Sequence, residues 1–566
     1  MDCKVAMLLA TAGYGSLVFV YFLCTLHSGE LSVADILAGD VANGETHSVH
    51  SLKVNISSEG LVKEFNDEAD PNGGEETVIL KEFDSIGNGP IERDSSVVEL
   101  PKQVKGQQKG FNSSELDQFI KDDDASEMQR FRSLVNDSQE TNMVLDAPSS
   151  ISKNFTRDIK SFFLRKRPTP TSLSQMNTLL LQKVVQSPSK KRRISSPRDR
   201  ELISAKLKIQ NGMEMKNSRQ LSAEIFRNIS TFIRSYELME KTLKIYVYKE
   251  GSKPIFHQPI TRGLYSSEGW FAKLLEGNKK FTVKDPKKAH LFFLPFSSLR
   301  LRVAMEEQKL DVDLFLKSYV KLLSSKYKFW TRTSGADHFL IGCHDRAYKF
   351  TIQPPVSNCI RVLCNANVAK GFRIGKDSSL PVTYIRSSSN PQRDVGGKPA
   401  KQRSLLAFFA GSLHGYLRPM LLQYWENREP DMKIFGPMRR DPEGKSVYRD
   451  FMKNSKYCIC ARGYEVHTPR IVESIWYGCV PVIIADNYVP PFFEVLDWES
   501  FAVFVREDEI PNLRKILLAI PEERYLDMQR RVMLTQQHFL WQKPAVRYDL
   551  FHMILHSIWH NRLLQI

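Results

Sequence analysis

Short apolar runs alternate with amphipathic stretches from about residue 235 to the end of the chain. Several runs are short and rich in β-branched or aromatic residues, as buried parallel strands are: LKIYVYKE, AHLFFLPFSS, DHFLIGCHD and IRVLCNAN. Between them, YSSEGWFAKLLEG has the spacing of an amphipathic helix that begins at Ser267. Alternating strands and helices predict an α/β fold of doubly wound parallel sheets, and the length suits two such domains.

Two stretches in the later part of this region repeat a strand–turn–helix design. In SLLAFFAGSLHGYLRPMLLQYWE an apolar strand leads to Gly411 in a turn, and Arg418 lies in the first turns of the helix. In KYCICARGYEVHTPRIVESIWYGCVPVIIAD, Thr468 and Pro469 predict a helix start and Gly478 predicts its end. The carboxyl end of each strand therefore leads to a helix N-terminus, which is where anionic ligands bind.

Arg470 and Glu473 lie three positions apart, and so on one face, at the beginning of the second predicted helix. An arginine there offers a forked donor for phosphate, and a glutamate one turn further in can accept from ribose hydroxyls. The hypothesis is a nucleotide diphosphate site. The alternative is an ordinary surface ion pair between the two residues.

Residues 5–26 contain no charged side chain and are long enough to cross a bilayer as one helix. The run lacks the short apolar core and the small-residue cleavage site of a signal peptide, so a retained anchor is expected. The flanking charges place residues 1–4 in the cytosol and the rest of the chain in a lumen. Five N-glycosylation sequons agree with a lumenal body, and all precede residue 231: Asn55, Asn112, Asn136, Asn154 and Asn228.

Residues 27–234 are predicted to form a largely disordered stem between the anchor and the folded body. The net charge is −14 across residues 30–156 and +10 across residues 157–200, and such opposed blocks are typical of disordered chain. The KKRR run would also fit nucleic acid, but the anchor and the sequons indicate a compartment without it, so no nucleic-acid partner is expected. The net charge of +20 across residues 201–566 predicts that the substrate to which the folded body binds is anionic or partly anionic.

The eight cysteines are too few for a disulfide scaffold. Cys359 and Cys364 are close enough in sequence to bridge in an oxidising lumen, with a buried thiol as the alternative. Cys458, Cys460 and Cys479 fall in strand-like positions, where a role in core packing is expected. The cysteines do not have zinc-ribbon spacing and no H-E-x-x-H is present, so no metal site is predicted.

Taken together, these segments resemble the exostosin-like glycosyltransferases, family 47, and most closely the plant members that build cell-wall polysaccharides. The matching segments run in order from about residue 235 to 560: YSSEGWF, AHLFFLPFS, GADHF, IRVLCNAN, LLAFFAG and GYEVHTPRIVESIWYGCVPVIIADNYVPPFFEVLDW. The resemblance implies a Golgi type II membrane protein with a GT-B fold. In that fold an acceptor half, residues 235–400, and a nucleotide-sugar half, residues 401–566, are both Rossmann-like and face a cleft.

The same resemblance implies inverting transfer from a UDP-sugar to a polysaccharide or glycan acceptor, with no cofactor beyond the donor substrate. It puts Arg470 at the donor diphosphate and Glu473 at the ribose, with Thr468 at the helix start. Gly411 and Arg418 would lie across the cleft as further donor contacts. The alternative from another class is a non-catalytic Golgi partner that helps a complex with other transferases to assemble.

An inverting enzyme needs a general base that takes the proton of the acceptor hydroxyl. Asp345 and His344, at the carboxyl end of a predicted strand, are the candidates, with Asp337 behind them; the alternative for all three is capping of the strand–loop junction. Many members of the family carry Trp, a small residue and Pro after this strand, whereas this chain reads Arg346-Ala-Tyr. This departure concerns the acceptor side and is the only sequence support for the non-catalytic alternative, whereas the intact Arg470 and Glu473 argue against it.

Two acidic triplets match the DxD pattern that binds a metal–nucleotide complex in the other transferase fold. Residues 122–124 lie in the predicted stem, and residues 311–313 open an amphipathic helix, where acids suit the helix dipole. Because neither triplet follows a buried strand, both are predicted to be non-catalytic and transfer is predicted to need no divalent metal.

Overall fold

The computed structural model describes residues 169–185, 196–212, 221–391 and 395–566. The predicted anchor at residues 5–26 lies outside these ranges, as do the first acidic triplet and four sequon asparagines, Asn55, Asn112, Asn136 and Asn154. Within the described ranges, no helix is long and apolar enough to cross a membrane.

The first sheet and the helices that precede or interrupt it occupy the chain up to residue 379. The elements are α1 (Leu173–Val185), α2 (Pro197–Gln210), α3 (Ile229–Thr242), β1 (Ile245–Val247), α4 (Ser266–Glu276), β2 (Leu291–Phe293), α5 (Ser298–Glu307), α6 (Val312–Lys326), α7 (Phe329–Thr333), β3 (His338–Gly342), α8 (Ala347–Thr351), β4 (Ile360–Leu363) and β5 (Ser378–Ser379). The strands are all parallel and lie in the order β1-β2-β3-β4-β5. Every residue of β2, β3 and β4 is buried, as expected for a parallel sheet covered on both faces.

The second sheet follows from residue 405. Its elements are β6 (Leu405–Ala410), α9 (Leu417–Trp425), β7 (Met432–Phe435), α10 (Pro442–Asn454), β8 (Ser455–Ala461), α11 (Arg470–Trp476), β9 (Val480–Ile484), β10 (Val503–Phe504), α12 (Leu513–Leu518), α13 (Glu522–Thr535) and α14 (Leu550–Gln565). The strands are again all parallel, in the order β10-β9-β8-β6-β7. The prediction of an α/β fold with two parallel sheets is therefore confirmed.

Both ends of the described chain cross to the other sheet. The C-terminal helix α14 packs against β4 and β5 of the first sheet and against α3. In the opposite direction, Phe226 forms a β-bridge with Leu496, and the Arg227 amide donates to the Val495 carbonyl at 2.9 Å. The two halves are therefore tied together by exchanged segments as well as by a linker.

The folded body begins earlier than residue 235, which corrects the predicted extent of the stem. Helix α2 packs against α3 and α14, and buried Asp199 pairs with Arg562 of α14 at 3.1 Å. Sequence composition did not predict this helix, because its only buried apolar residues are Leu202 and Ala205 and many of its other side chains are charged. A polar helix of this kind is ordered by its tertiary contacts rather than by its own amphipathicity.

The disulfides differ from the expected pairing. Cys343 at the end of β3 is bonded to Cys364 at the end of β4, whereas Cys359 is a buried free thiol. Cys458 and Cys479 are also bonded, so the expectation of core packing holds only for buried Cys460. In both pairs the partners lie on neighbouring parallel strands or at their edges, close in space although 21 residues apart in sequence. The tertiary register, rather than sequence proximity, decides the pairing.

Removal of the Asp199 carboxylate tests whether α2 belongs to the folded body. We expect Asp199→Ala to lower the free energy of unfolding by about 3 kcal/mol, because it leaves the Arg562 guanidinium buried without this partner. Urea denaturation measures the change. Asp508→Ala, which breaks an exposed pair with Arg506, is the control and should cost less than about 1 kcal/mol. Equal, small effects of both variants would contradict the prediction.

The disulfide pattern can be read directly from peptides. Digestion without reduction should yield cross-linked peptides joining Cys343 to Cys364 and Cys458 to Cys479, because these sulfurs are bonded in the fold. Cys359 and Cys460 should react with an alkylating reagent only after denaturation, since both are buried. Mass spectrometry that finds a peptide joining Cys359 to Cys364 would overturn this assignment.

Candidate active site

A crevice is expected in the second sheet where its strand order reverses. From β6 the chain moves outward to β7, and then returns to the other side of β6 and continues through β8, β9 and β10. Because crossovers between parallel strands are right-handed, the connections that follow β6 and β8 leave toward opposite faces of the sheet. The carboxyl ends of β6 and β8 therefore flank an opening, the usual ligand site of such a sheet.

Arg470, in the first turn of α11, reaches across this opening to the end of β6. Its Nε donates to the Ala410 carbonyl at 2.9 Å, and its Nη1 donates to Thr468 Oγ1 at 3.2 Å. Gly411 lies directly beneath the guanidinium, where a Cβ atom would collide with Nη2. The glycine in the turn is therefore required by the close approach of the arginine. Thr468 supports the guanidinium, and α11 is shorter than the sequence predicted, with seven residues.

Arg418, like Gly411, follows β6 and so lies on the side of the opening opposite the loop after β8 that leads to Arg470; its contact with a donor stays a prediction. Its guanidinium is buried and donates to the carbonyls of Ser412 at 2.9 Å and Arg462 at 3.2 Å. Burial, with the charge of Arg470 adding to it, lowers the pKa of Arg418 to about 9. The residue ties the loop after β6 to the end of β8 and remains charged at neutral pH.

The two loops also meet through backbone. Gly415 has a φ of +70°, and a Cβ atom there would collide with the carbonyl of Gly463. The rings of His414 and Tyr464 stack with their centroids 4.8 Å apart. Small residues at the contact therefore let the loop after β6 lie directly on the loop after β8.

Glu473 is buried and accepts a hydrogen bond from the Tyr448 hydroxyl at 2.8 Å. Arg470 gives its described hydrogen bonds to uncharged oxygens instead. The two side chains form no ion pair in the described structure, so the alternative of a surface pair between them is wrong. The physical reason is that Arg470 turns toward β6 whereas Glu473 turns toward α10.

The first sheet contributes the turn after β3. Asp345 Oδ1 accepts from His467 Nε2 at 3.1 Å, and His467 belongs to the loop after β8 in the second half. Lys370, after β4, pairs in the same way with Glu465. The carboxyl ends of β3 and β8 therefore face one another, and the loop after β8 closes the space between them.

The three predicted base candidates are not brought together. Asp345 and His344 lie at the carboxyl end of β3, but Asp337 precedes the strand and is buried at its amino end, paired with Arg332 and hydrogen-bonded to His338. Burial pushes the pKa of Asp337 upward, but its hydrogen bond with His338 and the charges of His338 and Arg332 outweigh it and hold the pKa low. Asp337 is therefore a structural anion of the strand start, and its placement behind the other two is wrong.

His344 and Asp345 differ in how readily each could accept a proton from a substrate. Burial lowers the pKa of His344 to about 4, although the charge of Asp345 opposes the shift, and His344 Nδ1 already accepts from the Arg346 amide at 3.1 Å. Burial acts to raise the pKa of Asp345, but the hydrogen bond and charge of His467 outweigh it, so the pKa lies below its ordinary value. Asp345 retains 21% of its side-chain surface and is an ionised carboxylate at neutral pH.

Sequence reasoning missed His467, together with a second acidic group at the same edge. Asp486 follows β9 and its Oδ1 accepts from the amide of Glu507, which in turn is paired with Arg462. Burial raises the pKa of Asp486 to about 6, and the charge of Glu507 contributes to the shift. In the sequence, only the position of His467 three residues before Arg470 pointed to a role in the site. That this loop faces β3 depends on a contact between the two halves, which local sequence does not predict.

The second acidic triplet is placed as predicted. Asp311 caps α6, and its carboxylate accepts from the amides of Asp313 and Leu314. No group of three or more His, Cys, Asp or Glu side chains gathers as metal ligands anywhere in the described ranges. The structure therefore offers no protein-built metal centre in those ranges, and the cationic groups of the crevice are arginines.

The fold and site define a two-sheet α/β protein with a cationic crevice at a strand-order reversal. The sequence pattern of the exostosin GT47 domain matches residues 239–520. A "Probable glycosyltransferase" of Arabidopsis thaliana is 46% identical over 345 residues, covering 60% of this chain and 66% of that protein, just under two thirds of its length. A second from Arabidopsis thaliana is 42% identical over 348 residues, covering 60% of this chain and 73% of that protein.

A more distant relative, a "Probable glucuronosyltransferase" of Oryza sativa subsp. japonica, is 31% identical over 351 residues, covering 56% of this chain and 80% of that protein. The chain belongs to the exostosin GT47 family of glycosyltransferases. The matched domain spans both sheets and the loops that carry Asp345, Arg418 and Arg470.

The raised pKa of Asp486 predicts a pH-dependent stability. Above the ordinary carboxyl pKa the unfolded chain has lost this proton, whereas the folded chain keeps it up to about pH 6, so Asp486 lowers stability as the pH rises through that window. Asp486→Asn should therefore be more stable than the wild type at pH 7, with the difference vanishing near pH 4. Urea unfolding at several pH values measures it. A difference that is constant with pH would contradict the prediction.

Proposed function

We propose that the chain transfers a sugar from a UDP-sugar to a glycan acceptor, with inversion at the anomeric carbon and a GT-B arrangement of its two halves. The nucleotide diphosphate would bind in the crevice between β6 and β8. The acceptor would enter from the β3 side, where Asp345 lies. Membership of the GT47 family supports transfer chemistry, a nucleotide-sugar donor and a glycan acceptor.

The observation that carries the proposal is a pair of guanidinium groups without a carboxylate. Arg418 and Arg470 both donate to uncharged oxygens, and neither forms an ion pair within the described part of the chain. Burial and the charge of Arg470 both make the charged form of Arg418 less stable, and so lower its pKa. A diphosphate would relieve this repulsion, and arginine suits phosphate through its planar fork of donors. Glu473, one turn further into α11, would hold the ribose hydroxyls.

The remaining features concern location and acceptor. A type II anchor at residues 5–26 in the Golgi membrane, with glycans at the sequons, would place the folded body in the lumen, and exposed Asn228 caps α3 through its side chain. The net charge of +20 over residues 201–566 supports an acidic wall polysaccharide as acceptor. Plant relatives named as glucuronosyltransferases add UDP-glucuronic acid to the donors worth testing.

A donor panel tests the proposal. Full-length protein would be incubated in EDTA with UDP-glucuronic acid, UDP-galactose, UDP-xylose or UDP-arabinose and a set of neutral and acidic wall oligosaccharides, with products identified by mass spectrometry. We expect transfer from one donor, with inverted product, and no requirement for manganese, because the arginines supply the positive charge. Release of UDP by no donor would indicate a non-catalytic partner instead.

Arg470→Lys tests the diphosphate contact. The lysine keeps the charge but loses the forked geometry that meets phosphate oxygens and the Ala410 carbonyl. Because charge grows on these oxygens as UDP departs, we expect kcat to fall by about 10-fold or more while UDP affinity changes less. Steady-state kinetics and calorimetric titration of UDP measure the two effects. Equal losses in kcat and UDP affinity would argue against a transition-state role.

Glu473→Gln should act differently. Ribose hydroxyls do not change during transfer, so loss of the carboxylate should chiefly raise the donor KM, by about 10-fold, and weaken UDP inhibition by the same factor. Tyr448→Phe is the matched control. It removes the protein hydrogen bond to Glu473 but leaves the carboxylate in place, so the donor KM should stay close to that of the wild type. A Glu473→Gln variant with an unchanged donor KM would remove the ribose assignment.

A further inference from the structure

The contact between the two halves contains a histidine with one satisfied and one unsatisfied ring nitrogen. His467 Nε2 lies 3.1 Å from Asp345 Oδ1, while His467 Nδ1 is buried and has no hydrogen-bond partner among the described residues. Only 4% of the His467 side chain is exposed. A buried nitrogen without a partner costs about 1–3 kcal/mol, so an unpartnered nitrogen at the contact between the two halves points to a group that is supplied by substrate.

The tautomer of His467 follows from its partner. The pKa of Asp345 lies below its ordinary value, through the hydrogen bond and charge of His467 acting against burial, so Asp345 is ionised and can only accept. His467 Nε2 must therefore carry the proton, and in the neutral ring Nδ1 holds the lone pair. We propose that His467 is the general base of the transfer and that Asp345 is the positioning residue that fixes its ring. This assignment rests on the proposed function and refines it.

The other candidates at this edge are weaker bases. His344 Nδ1 is occupied by the Arg346 amide, so its neutral ring carries the proton on the remaining nitrogen and has no free lone pair. Asp345 has its basicity reduced by the contact with His467. An imidazole held by a carboxylate is the usual arrangement for proton abstraction near neutral pH.

The sequence spacing places the base beside the donor. His467 and Arg470 are three residues apart, so their Cα atoms lie within about 11 Å of each other even in an extended chain. Inverting displacement needs the base on one side of the anomeric carbon and the leaving diphosphate on the other. One loop after β8 supplies both groups, and its contacts with Asp345 and Ala410 fix them relative to β3 and β6.

The proton and electron pairs balance without a further reagent. The acceptor hydroxyl gives its proton to His467 Nδ1 as its oxygen bonds to the anomeric carbon. The bond from that carbon to the diphosphate breaks, and its electron pair leaves on UDP. The imidazolium that forms is neutralised by Asp345, and the charge on the leaving UDP is met by Arg470. The proton is later released to water.

Several charged or titratable groups surround the Asp345–His467 pair and influence how kcat depends on pH. The charges of Arg302 and Arg346 act on His344 beside the pair, and the Tyr265 and His344 rings lie 5.4 Å apart. On the loop that carries His467, Glu465 is neutralised by Lys370. A general base must be unprotonated when it accepts the proton of the acceptor hydroxyl, so the wild-type kcat should show an acid limb with the slope of one proton.

His467→Gln is the decisive variant, because its amide can still donate to Asp345 but has no basic lone pair. We expect kcat to fall by about 100-fold or more, the acid limb to disappear, and UDP affinity and the thermal midpoint to change little. Asp345→Asn should also lower kcat strongly, since the ring loses its fixed tautomer. His552→Gln is the control, because it removes a similarly buried histidine that is paired with Asp549 and lies against Phe281 rather than against the loops of the site, and it should leave kcat unchanged.

The outcomes distinguish a wrong assignment of the general base from a lack of transferase activity. A His467→Gln variant that keeps more than a third of kcat with the wild-type acid limb overturns the inference, and an inactive Asp345→Asn variant beside it returns the base role to Asp345. A wild-type chain that transfers from no donor overturns the proposed function and this inference with it. Parallel loss of kcat and folding in His467→Gln, matched by His552→Gln, would reduce His467 to a structural contact and also overturn the inference.

Discussion

The reversal of strand order between β6 and β8 is the constraint on which the site depends. The connections that follow β6 and β8 leave toward opposite faces of the sheet, so the carboxyl ends of these two strands flank a crevice. Arg470 from one side and Gly411 from the other meet in that opening. The crevice is thus a consequence of chain topology, and the side chains determine only what it can hold.

The loop after β8 joins this crevice to the rest of the molecule. Its first residues provide the carbonyls that receive Arg418, its middle residues Glu465 and His467 contact the first half, and its end carries Arg470. A displacement of this loop would therefore change the proposed donor contacts and the proposed acceptor side together. Exchange of chain ends between the halves, through α14 and the segment at Phe226, restrains how far the halves can move apart.

Charge is distributed unevenly around the cleft. Three of the acids at its edge are paired with basic side chains: Glu465 with Lys370, Glu507 with Arg462, and Asp345 with His467. Arg418 and Arg470, by contrast, donate their described hydrogen bonds only to neutral oxygens. This asymmetry favours an anion in the crevice more directly than the net charge of the whole chain does, because salt screens exposed charges beyond about 10 Å but screens partly buried charges much less.

The alternation of apolar and amphipathic segments was enough to predict the two parallel sheets, and the Thr468–Gly478 stretch was enough to predict the short helix that carries Arg470 and Glu473. Local signals succeeded there because strand burial, turns and helix ends depend on neighbouring residues. They also identified Asp311 as a helix cap rather than a metal ligand.

The sequence by itself therefore determined the fold class, the family and the strand ends at which chemistry would lie. Only the tertiary structure decided that Cys343 bonds to Cys364 and that Asp337 lies at the amino end of β3, away from Asp345. The same is true of the packing of α2 on the folded body and of the contact between His467 and Asp345. Each of these depends on contacts between residues distant in the chain. Register, strand order and the packing of one half against the other set such contacts, and no local pattern of residues encodes them.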